Sequence, residues 1–207
     1  VSYGTTSKEK VQTNTNDSTI KTYIDNWYKK NLLDTNNEKY LVDNIFCNGR
    51  SIGNLSDNDK NYGFNNKSYG RNLTYYRWYY GPWSSGGYNS SMKLVCSQQN
   101  DAFTVNDVVK GNGALTYAIG LLSTDEAVLA GWWKTKNNSF YLYSGQNWWT
   151  LSPYGYTSQA KLHIVNSNGL TNPNYFVLSA LGVRPVINLK IDILNNGDGT
   201  IDNQYHI

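Results

Sequence analysis

The sequence predicts an α+β fold in which two helices accompany antiparallel sheets joined by long irregular loops. Three observations indicate this class: a helical period near the start of the chain, an aperiodic stretch between two cysteines, and short alternating segments in the last third. The 207 residues are 39% hydrophobic, which is enough to bury one sizeable core. We therefore expect a single domain over residues 1–207.

Charge and aromatic content narrow the functional class. Charged residues make up 16% of the chain and the net charge is +3, too sparse a positive field for a nucleic-acid surface. The 18 tyrosines and 7 tryptophans outnumber the 5 phenylalanines, and rings that carry a polar atom suit wet interfaces. The abundance of Asn, Tyr, Lys and Ile also fits AT-rich codon usage, so composition leaves both explanations open.

The first predicted element after a polar leader is an amphipathic helix. Residues 1–16 are rich in Thr and Asn, and we interpret them as a leader or one edge strand. Asp17 and Ser18 are good helix N-cap types. Apolar residues then recur at helical spacing: Ile20, Tyr23, Ile24, Trp27 and Tyr28. This helix is expected to end near Leu33.

Two cysteines bracket an irregular insertion. Cys47 and Cys96 belong to no CxxC motif, and a disulfide between them would stabilise the fold by about 3 to 4 kcal/mol. Two free, buried thiols are the alternative. Residues 48–95 are rich in Tyr, Gly and Asn and include an aromatic run at 75–83, which favours a folded loop over disorder.

The remaining elements are a short helix and four strands. Ser123 and Glu126 fit a capping box and Gly131 a helix stop, so a helix of about two turns is expected between them. Segments of strand-forming residues separated by turn signals predict strands at 148–151, 160–165, 175–178 and 183–191. The last third is therefore expected to form an antiparallel meander.

Three motifs in this region are similar to those of a known domain family. They are WTLSPY at 149–154, AKLHIVNSNG at 160–169 and GVRPVINL at 182–189. Over residues 90–207 the chain resembles a bacterial domain found in surface proteins of gut Gram-positive bacteria. That domain is similar to the C-type-lectin-like fold of the formylglycine-generating-enzyme superfamily and of the variable proteins of diversity-generating retroelements. The resemblance implies this fold and cell-surface display, sometimes behind a prepilin-type anchor.

The same motifs contain residues that we expect to determine the fold rather than to bind a ligand. They are Trp149, Pro153, Gly182, Arg184 and Pro185. The glycine and the prolines set backbone geometry, while the planar guanidinium of Arg184 is suited to buried carbonyls or a carboxylate.

The residue patterns of known catalytic and metal sites are missing or incomplete. No cysteine follows Cys96, although a formylglycine-type oxidase would need a reactive pair there, and neither histidine stands in a nucleophile motif. Asp125 and Glu126 are explained as first-turn helix residues. The triplet Asn172-Pro173-Asn174 lacks the carboxylates that calcium favours. We therefore expect no cofactor, no metal and no enzymatic activity.

Strand alternation and composition indicate where a ligand would bind. Alternation in the strand at 160–165 puts Leu162 and Ile164 in the core and turns Lys161 and His163 outward. Tyrosine and amide side chains surround the outward face, as in paratopes, and the resemblance to retroelement variable proteins implies a diversified binding face there. The predicted ligand-binding set is Tyr154, Tyr156, Gln159, Lys161, His163, Asn168, Asn172, Asn174 and Tyr175.

An alternative remains open for this set. Tyr and Asn abound throughout the chain, so the residues also fit ordinary loop surface. The aromatic run of the insertion would line the same face of the strand if the insertion folds over it. The residues that would do so are Trp78, Tyr79, Tyr80 and Trp83.

These observations predict an extracellular or cell-surface module that binds an unidentified protein or glycan on another cell or a phage. The alternative is a pilin-like appendage subunit whose partners are sister subunits, and an enzyme of unknown chemistry is the third possibility. Nucleic acid is not an expected partner. The chain has no apolar run of about 18 residues and begins at Val1 without a signal-like segment, so membrane attachment is expected only through an anchor upstream.

Overall fold

The structure of the chain is a computed structural model. It describes the following residues: 16–51, 70–71, 74, 77, 92–132, 137–156, 159–169, 171–193, 197, 200 and 202–203. At 70–71, 156 and 171–174 the description is of the backbone alone. The predicted leader at 1–16 therefore lies outside the described residues except for Asn16, and so does most of the insertion.

The N-terminal helix forms where the hydrophobic period predicts it. Helix α1 spans Thr19–Tyr28, and the Ser18 side chain caps it by accepting a 3.2 Å hydrogen bond from the backbone N–H of Lys21. Its buried residues are Ile20, Ile24 and Tyr28. A π-helical turn, Lys29–Leu33, continues the segment, so the predicted end near Leu33 is confirmed.

A two-stranded sheet marks the base of the insertion. The first three strands are β1 at Phe46–Cys47, β2 at Gly70–Arg71 and β3 at Ala102–Phe103. Strands β1 and β3 pair antiparallel with each other. The predicted disulfide is confirmed: Cys47 and Cys96 are joined, with their Cα atoms 5.4 Å apart. The bond closes the insertion at its two ends.

The second helix begins with the predicted capping box. Helix α2 spans Thr124–Leu129, and the Ser123 hydroxyl accepts a hydrogen bond from the Glu126 backbone N–H. In return the Glu126 carboxylate accepts from the Ser123 N–H at 2.7 Å. Gly131 follows with a φ of +108°, a conformation in which a residue with a Cβ would be strained. Both predicted boundaries are therefore confirmed.

The C-terminal third builds a four-stranded antiparallel sheet. Its strands are β4 at Trp148–Tyr156, β5 at Ala160–Val165 and β6 at Thr171–Phe176, and β2 joins them in the order β2-β4-β5-β6. The strands predicted at 148–151 and 160–165 are confirmed, whereas the third lies earlier than the predicted 175–178. The fourth strand comes from the insertion.

The predicted strand at 183–191 is wrong as a continuous element. Val186 and Gly120 donate to each other's carbonyl oxygens at 2.9 and 3.0 Å, but this is an isolated bridge. Pro185 has no N–H to donate, so a regular ladder does not develop around it. The segment ends in the 3-10 turn Ile191–Ile193, whose first residue is 89% exposed.

Two hydrophobic clusters cover the two faces of β5. The main cluster packs α1 against β4 and β5 and includes Ile164, which is 0% exposed. The second cluster packs α2 and the indole of Trp132 against the other face and includes Val165, which is 1% exposed. Consecutive strand residues point to opposite faces, so the sheet is buried on both sides here. Helices α1 and α2 together with small antiparallel sheets make this an α+β fold, as predicted.

The residues predicted to determine the fold have extensive structural contacts. Trp149 is 0% exposed in the main cluster. The guanidinium of Arg184 donates to the carbonyl oxygen of Leu142, one of the two kinds of partner predicted for it. Gly182 donates to the carbonyl of Asn147 at 2.9 Å, and a Cβ at this glycine would lie 3.0 Å from the same oxygen. A side chain at Gly182 would therefore press against the backbone that leads into β4.

Candidate functional site

Strand β5 carries the centre of the predicted ligand-binding set, but its outward face is only partly open. Lys161 is half-buried, and its Nζ atom lies 4.6 Å from the centroid of the Phe176 ring on β6. His163, two residues further along the same face, is 0% exposed. The predicted outward exposure of His163 is therefore wrong, because Tyr154 and the second cluster pack against that part of the face.

Burial also sets the protonation of His163. Its ring meets the Tyr154 ring edge-on, with the ring centroids 5.5 Å apart. Burial, with a smaller contribution from the positive charge of Arg77, lowers the pKa of His163 from its ordinary 6.5 to about 3. The imidazole is therefore neutral at physiological pH and belongs to the interior rather than to a contact surface.

The predicted tyrosines do not share one face. Tyr154 is the extra residue of a β4 bulge between Pro153 and Gly155, and it packs against the second cluster. Tyr175 lies opposite Leu162 in the register of β5 and β6, and it packs against the main cluster. Because the two clusters lie on opposite sides of β5, these two half-buried rings belong to different layers of the fold.

The remaining members of the predicted set are spread along the sheet. Gln159 is half-buried just before β5, and Asn168 is exposed in the turn after it. The side chains of Tyr156, Asn172 and Asn174 lie outside the described residues, and so do the rings of the aromatic run at 75–83. The binding role of the set as a whole stays a prediction.

Within the described residues, two buried ion pairs attach the insertion to the core, the first at its base. The guanidinium and the backbone N–H of Arg50 donate to the Asp101 carboxylate at 2.7 and 2.9 Å. The two side chains are 6% and 0% exposed. Gln98 adds a further donor to the same carboxylate at 2.6 Å. The Asp101 carboxylate is therefore occupied by structural partners.

The second ion pair holds the middle of the insertion. Arg77 donates from Nε to Oδ1 and from Nη2 to Oδ2 of Asp125, both at 2.8 Å. The interpretation of Asp125 as a helix-dipole residue misses this partner, which stands 48 positions away in the sequence. Arg77 is the single cation in the aromatic run at 75–83, and that is the one sequence signal that could have indicated a buried pair.

A strand from the insertion meets the predicted set at one end of the sheet. Strand β2 pairs with the end of β4, where Gly70 lies opposite Tyr156. One cross-strand row then runs through all four strands in the order Arg71, Gly155, Lys161 and Phe176. We call this row, together with the adjacent Tyr156 and Gln159, the sheet-end surface. Strand β2 of the insertion thus lies beside the predicted ligand-binding set, although the two are far apart in the sequence.

A small cavity lies where the insertion meets the core, and metal-binding side chains are not clustered in the described ranges. Within the ranges that the structure describes, no group of three or more His, Cys, Asp or Glu side chains is placed to hold a metal ion. A cavity of about 20 Å³ lies between insertion and core and is lined in part by Thr74, Arg77 and Ser123. This volume accommodates a water molecule.

Comparison with known proteins identifies a family without a described activity. No curated protein and no solved structure is similar enough to the chain to match it. The family described as a domain of unknown function, DUF6273, matches residues 35–191, a stretch that holds both cysteines, α2 and strands β1 to β6. This match covers well over half of the 207 residues, and the chain therefore belongs to the DUF6273 family.

Proposed function

We propose that the chain is an extracellular, non-catalytic module that binds a protein or glycan on another cell or a phage through its sheet-end surface. The observation that carries the proposal is the cross-strand row in which β2 of the insertion and the C-terminal strands meet. Two segments far apart in the sequence contribute to one surface that is supported by hydrogen-bonded strands. Binding residues are commonly held on a rigid scaffold in this way.

The side chains of this surface suit a polar macromolecular partner. The ammonium group of Lys161 sits over the Phe176 ring, so a cation and an aromatic face are already arranged before a partner arrives. Gln159 adds an amide that can donate and accept hydrogen bonds. Side chains that are half-buried before binding lose less conformational entropy on association than freely rotating ones.

Four acid and base groups of the described residues are engaged in the fold, which supports binding over catalysis. The carboxylates of Asp101 and Asp125 are paired with arginines, and that of Glu126 completes the α2 capping box. His163 is neutral in the interior. A general acid or base has to reach the substrate, and these groups are turned into the fold.

The disulfide and the class of fold support the cellular location and the fold family proposed. Disulfides persist in oxidising compartments, so the Cys47–Cys96 bond is compatible with a secreted protein. None of the helices in the described ranges is long and apolar enough to cross a membrane. The proposed C-type-lectin-like fold agrees with an α+β arrangement that carries a long, disulfide-closed insertion. A diversified binding face, as in the retroelement variable proteins, belongs to the same proposal.

The proposal is tested with fluorescently labelled protein on a printed glycan array and on intact intestinal epithelial and Gram-positive bacterial cells. The double variant Gln159→Glu, Lys161→Glu should bind at least about tenfold more weakly, because it reverses the charge of the surface. The matched control is Lys110→Glu, which changes an exposed cation in another loop. Equal binding by the double variant and by the wild type would contradict the sheet-end surface as the contact region.

A pilin-like or appendage subunit is the second candidate, and an exposed loop favours it. Val108 and Val109 are 66% and 84% exposed. The Asp43 carboxylate fixes the backbone just before them by accepting three N–H groups, from residues 105–107, at 2.8, 2.8 and 3.2 Å. A rigid apolar tip suits contacts between copies of the chain. Sedimentation velocity should then show assembly that grows with concentration and is lost in Val109→Asp.

A further inference from the structure

Arg77 lies at the centre of a hydrogen-bonded hub between the insertion and the core. Its guanidinium binds Asp125 on α2 and donates to the hydroxyl of Thr74 at 3.3 Å. Thr74 donates in turn to the carbonyl oxygen of Gly49 at 3.0 Å, and the backbone N–H of Lys93 donates to Asp125 at 3.0 Å. The hub therefore joins α2 to the beginning, the middle and the end of the insertion.

The charges of this hub are matched and largely removed from water. The Arg77 and Asp125 side chains are 13% and 4% exposed, and their contact uses two parallel hydrogen bonds. Separating them leaves a buried carboxylate without its cation, which is strongly unfavourable. The described ladder between β2 and β4 is a weaker attachment, because it is short, with two residue pairs in register. Among the described contacts of residues 70–77 with the core, the ion pair is therefore the stronger attachment.

We propose that Arg77 is a positioning residue: its ion pair with Asp125 fixes the middle of the insertion on the core and thereby sets β2 beside β4. Where it concerns binding, this inference rests on the proposed function of the sheet-end surface. The disulfide acts elsewhere, because Cys47 and Cys96 join only the two ends of the insertion. Attachment of the middle therefore survives reduction of the disulfide.

The test measures how firmly residues 70–77 are attached to the core, and it needs no ligand. Hydrogen exchange is measured for peptides covering residues 70–77, and thermolysin cleavage within residues 52–91 is mapped by mass spectrometry. In Arg77→Met and in Asp125→Asn, exchange and cleavage there should rise about tenfold or more, which corresponds to about 1.4 kcal/mol of local stability. Arg77→Lys should give a smaller increase, because lysine keeps the charge but cannot form the two parallel hydrogen bonds. Lys110→Met is the matched control and should behave as the wild type.

Peptides from α1 and β5 separate local release from global unfolding. Their exchange should stay unchanged while that of residues 70–77 rises. Asp125→Asn is the gentler variant, because asparagine keeps an acceptor for the Lys93 N–H at the start of α2. Wild-type protection of residues 70–77 in both Arg77→Met and Asp125→Asn would overturn the inference. A second result would also overturn it. This is a loss of exchange protection on reduction of the disulfide that is confined to residues 70–77 and is as large as the loss in Arg77→Met.

Binding on the glycan array and on the same cells separates this inference from the proposed function. A loss of binding that follows the order Arg77→Met, then Arg77→Lys, then wild type supports both. Retained binding by a variant whose residues 70–77 have lost protection contradicts the sheet-end surface as the contact region. The positioning role of Arg77 stands in that case, because exchange has already shown the release.

Discussion

The two faces of β5 differ in how far their burial extends along the strand. On the side of α1, Leu162 and Ile164 belong to one continuous apolar cluster. On the side of α2, the face passes from buried Val165 through neutral His163 to half-buried Lys161. One face therefore serves packing along its whole length, while the other changes from core to surface within a single strand. Core and surface positions are thus divided along β5 as well as between its two faces.

The largest expected effect lies on the α1 side. Trp149→Ala removes an indole that is 0% exposed, and it should lower the free energy of unfolding by about 3 to 5 kcal/mol. The control Trp27→Ala removes an indole from the outer side of α1, where it is 36% exposed, and should cost about 1 to 2 kcal/mol. Urea unfolding followed by circular dichroism gives both values. Equal losses in the free energy of unfolding for the two variants would contradict the assignment of Trp149 to the main core.

The next effect tests the buried histidine on the α2 side through its pH dependence. The pKa of His163 is about 3 in the fold and near 6.5 in the unfolded chain, so the unfolded chain binds the extra proton between these values. Stability from this residue is therefore complete above pH 6.5 and falls as the pH is lowered toward 3. At pH 5 the loss should be about 2 kcal/mol relative to neutral pH.

The measurement compares wild type with His163→Phe, an apolar ring of similar shape. Urea unfolding at a series of pH values between 7 and 5 should show a flatter profile for His163→Phe than for wild type. The second histidine of the chain supplies a matched control, since His206→Gln changes the same residue type in a segment outside the described residues. Parallel profiles for wild type and His163→Phe would place the titrating group elsewhere.

Local signals account for the parts of the fold that the sequence predicts correctly. These parts depend on residues that lie close together in the sequence. They are the hydrophobic period of α1, the capping box of α2 and the strands at 148–151 and 160–165. The disulfide follows from there being only two cysteines. These elements need no knowledge of what packs against them.

Long-range packing explains where the sequence prediction fails. Alternation in β5 predicts one buried face, but the second face is covered by Trp132 and Phe140, which come from segments with no regular period. Alternation therefore assigns His163 to the surface, although Tyr154 and the second cluster pack around it. The pair of Arg77 and Asp125 spans 48 positions, and propensity or spacing carries no information about such a contact.

Tyrosines on the two faces of β5 test the same comparison with a smaller expected loss of stability. The sequence analysis treats Tyr154 and Tyr175 as ligand-binding residues, yet each is half-buried against a different cluster. Tyr154→Ala and Tyr175→Ala should each lower the free energy of unfolding by about 1 to 2 kcal/mol. Because the rings lie in separate layers, the double variant should show the sum of the two losses within about 0.5 kcal/mol. A clear departure from additivity in urea unfolding would mean that the two rings share a layer.

The smallest expected effect on stability concerns the open end of the α2-side face. Lys161 and Phe176 form a half-exposed cation–π contact, and a double-mutant cycle with Lys161→Met and Phe176→Leu should give a coupling of about 0.5 to 1 kcal/mol. A coupling free energy above about 2 kcal/mol would assign the pair to the desolvated core. The α2-side face of β5 would then not change from core to surface along the strand. The fold gains little from this contact, whereas the proposed partner would meet both groups at once. Weak coupling in the cycle together with a large loss of array or cell binding in Lys161→Met is therefore the combination that separates recognition from packing at this end of the strand.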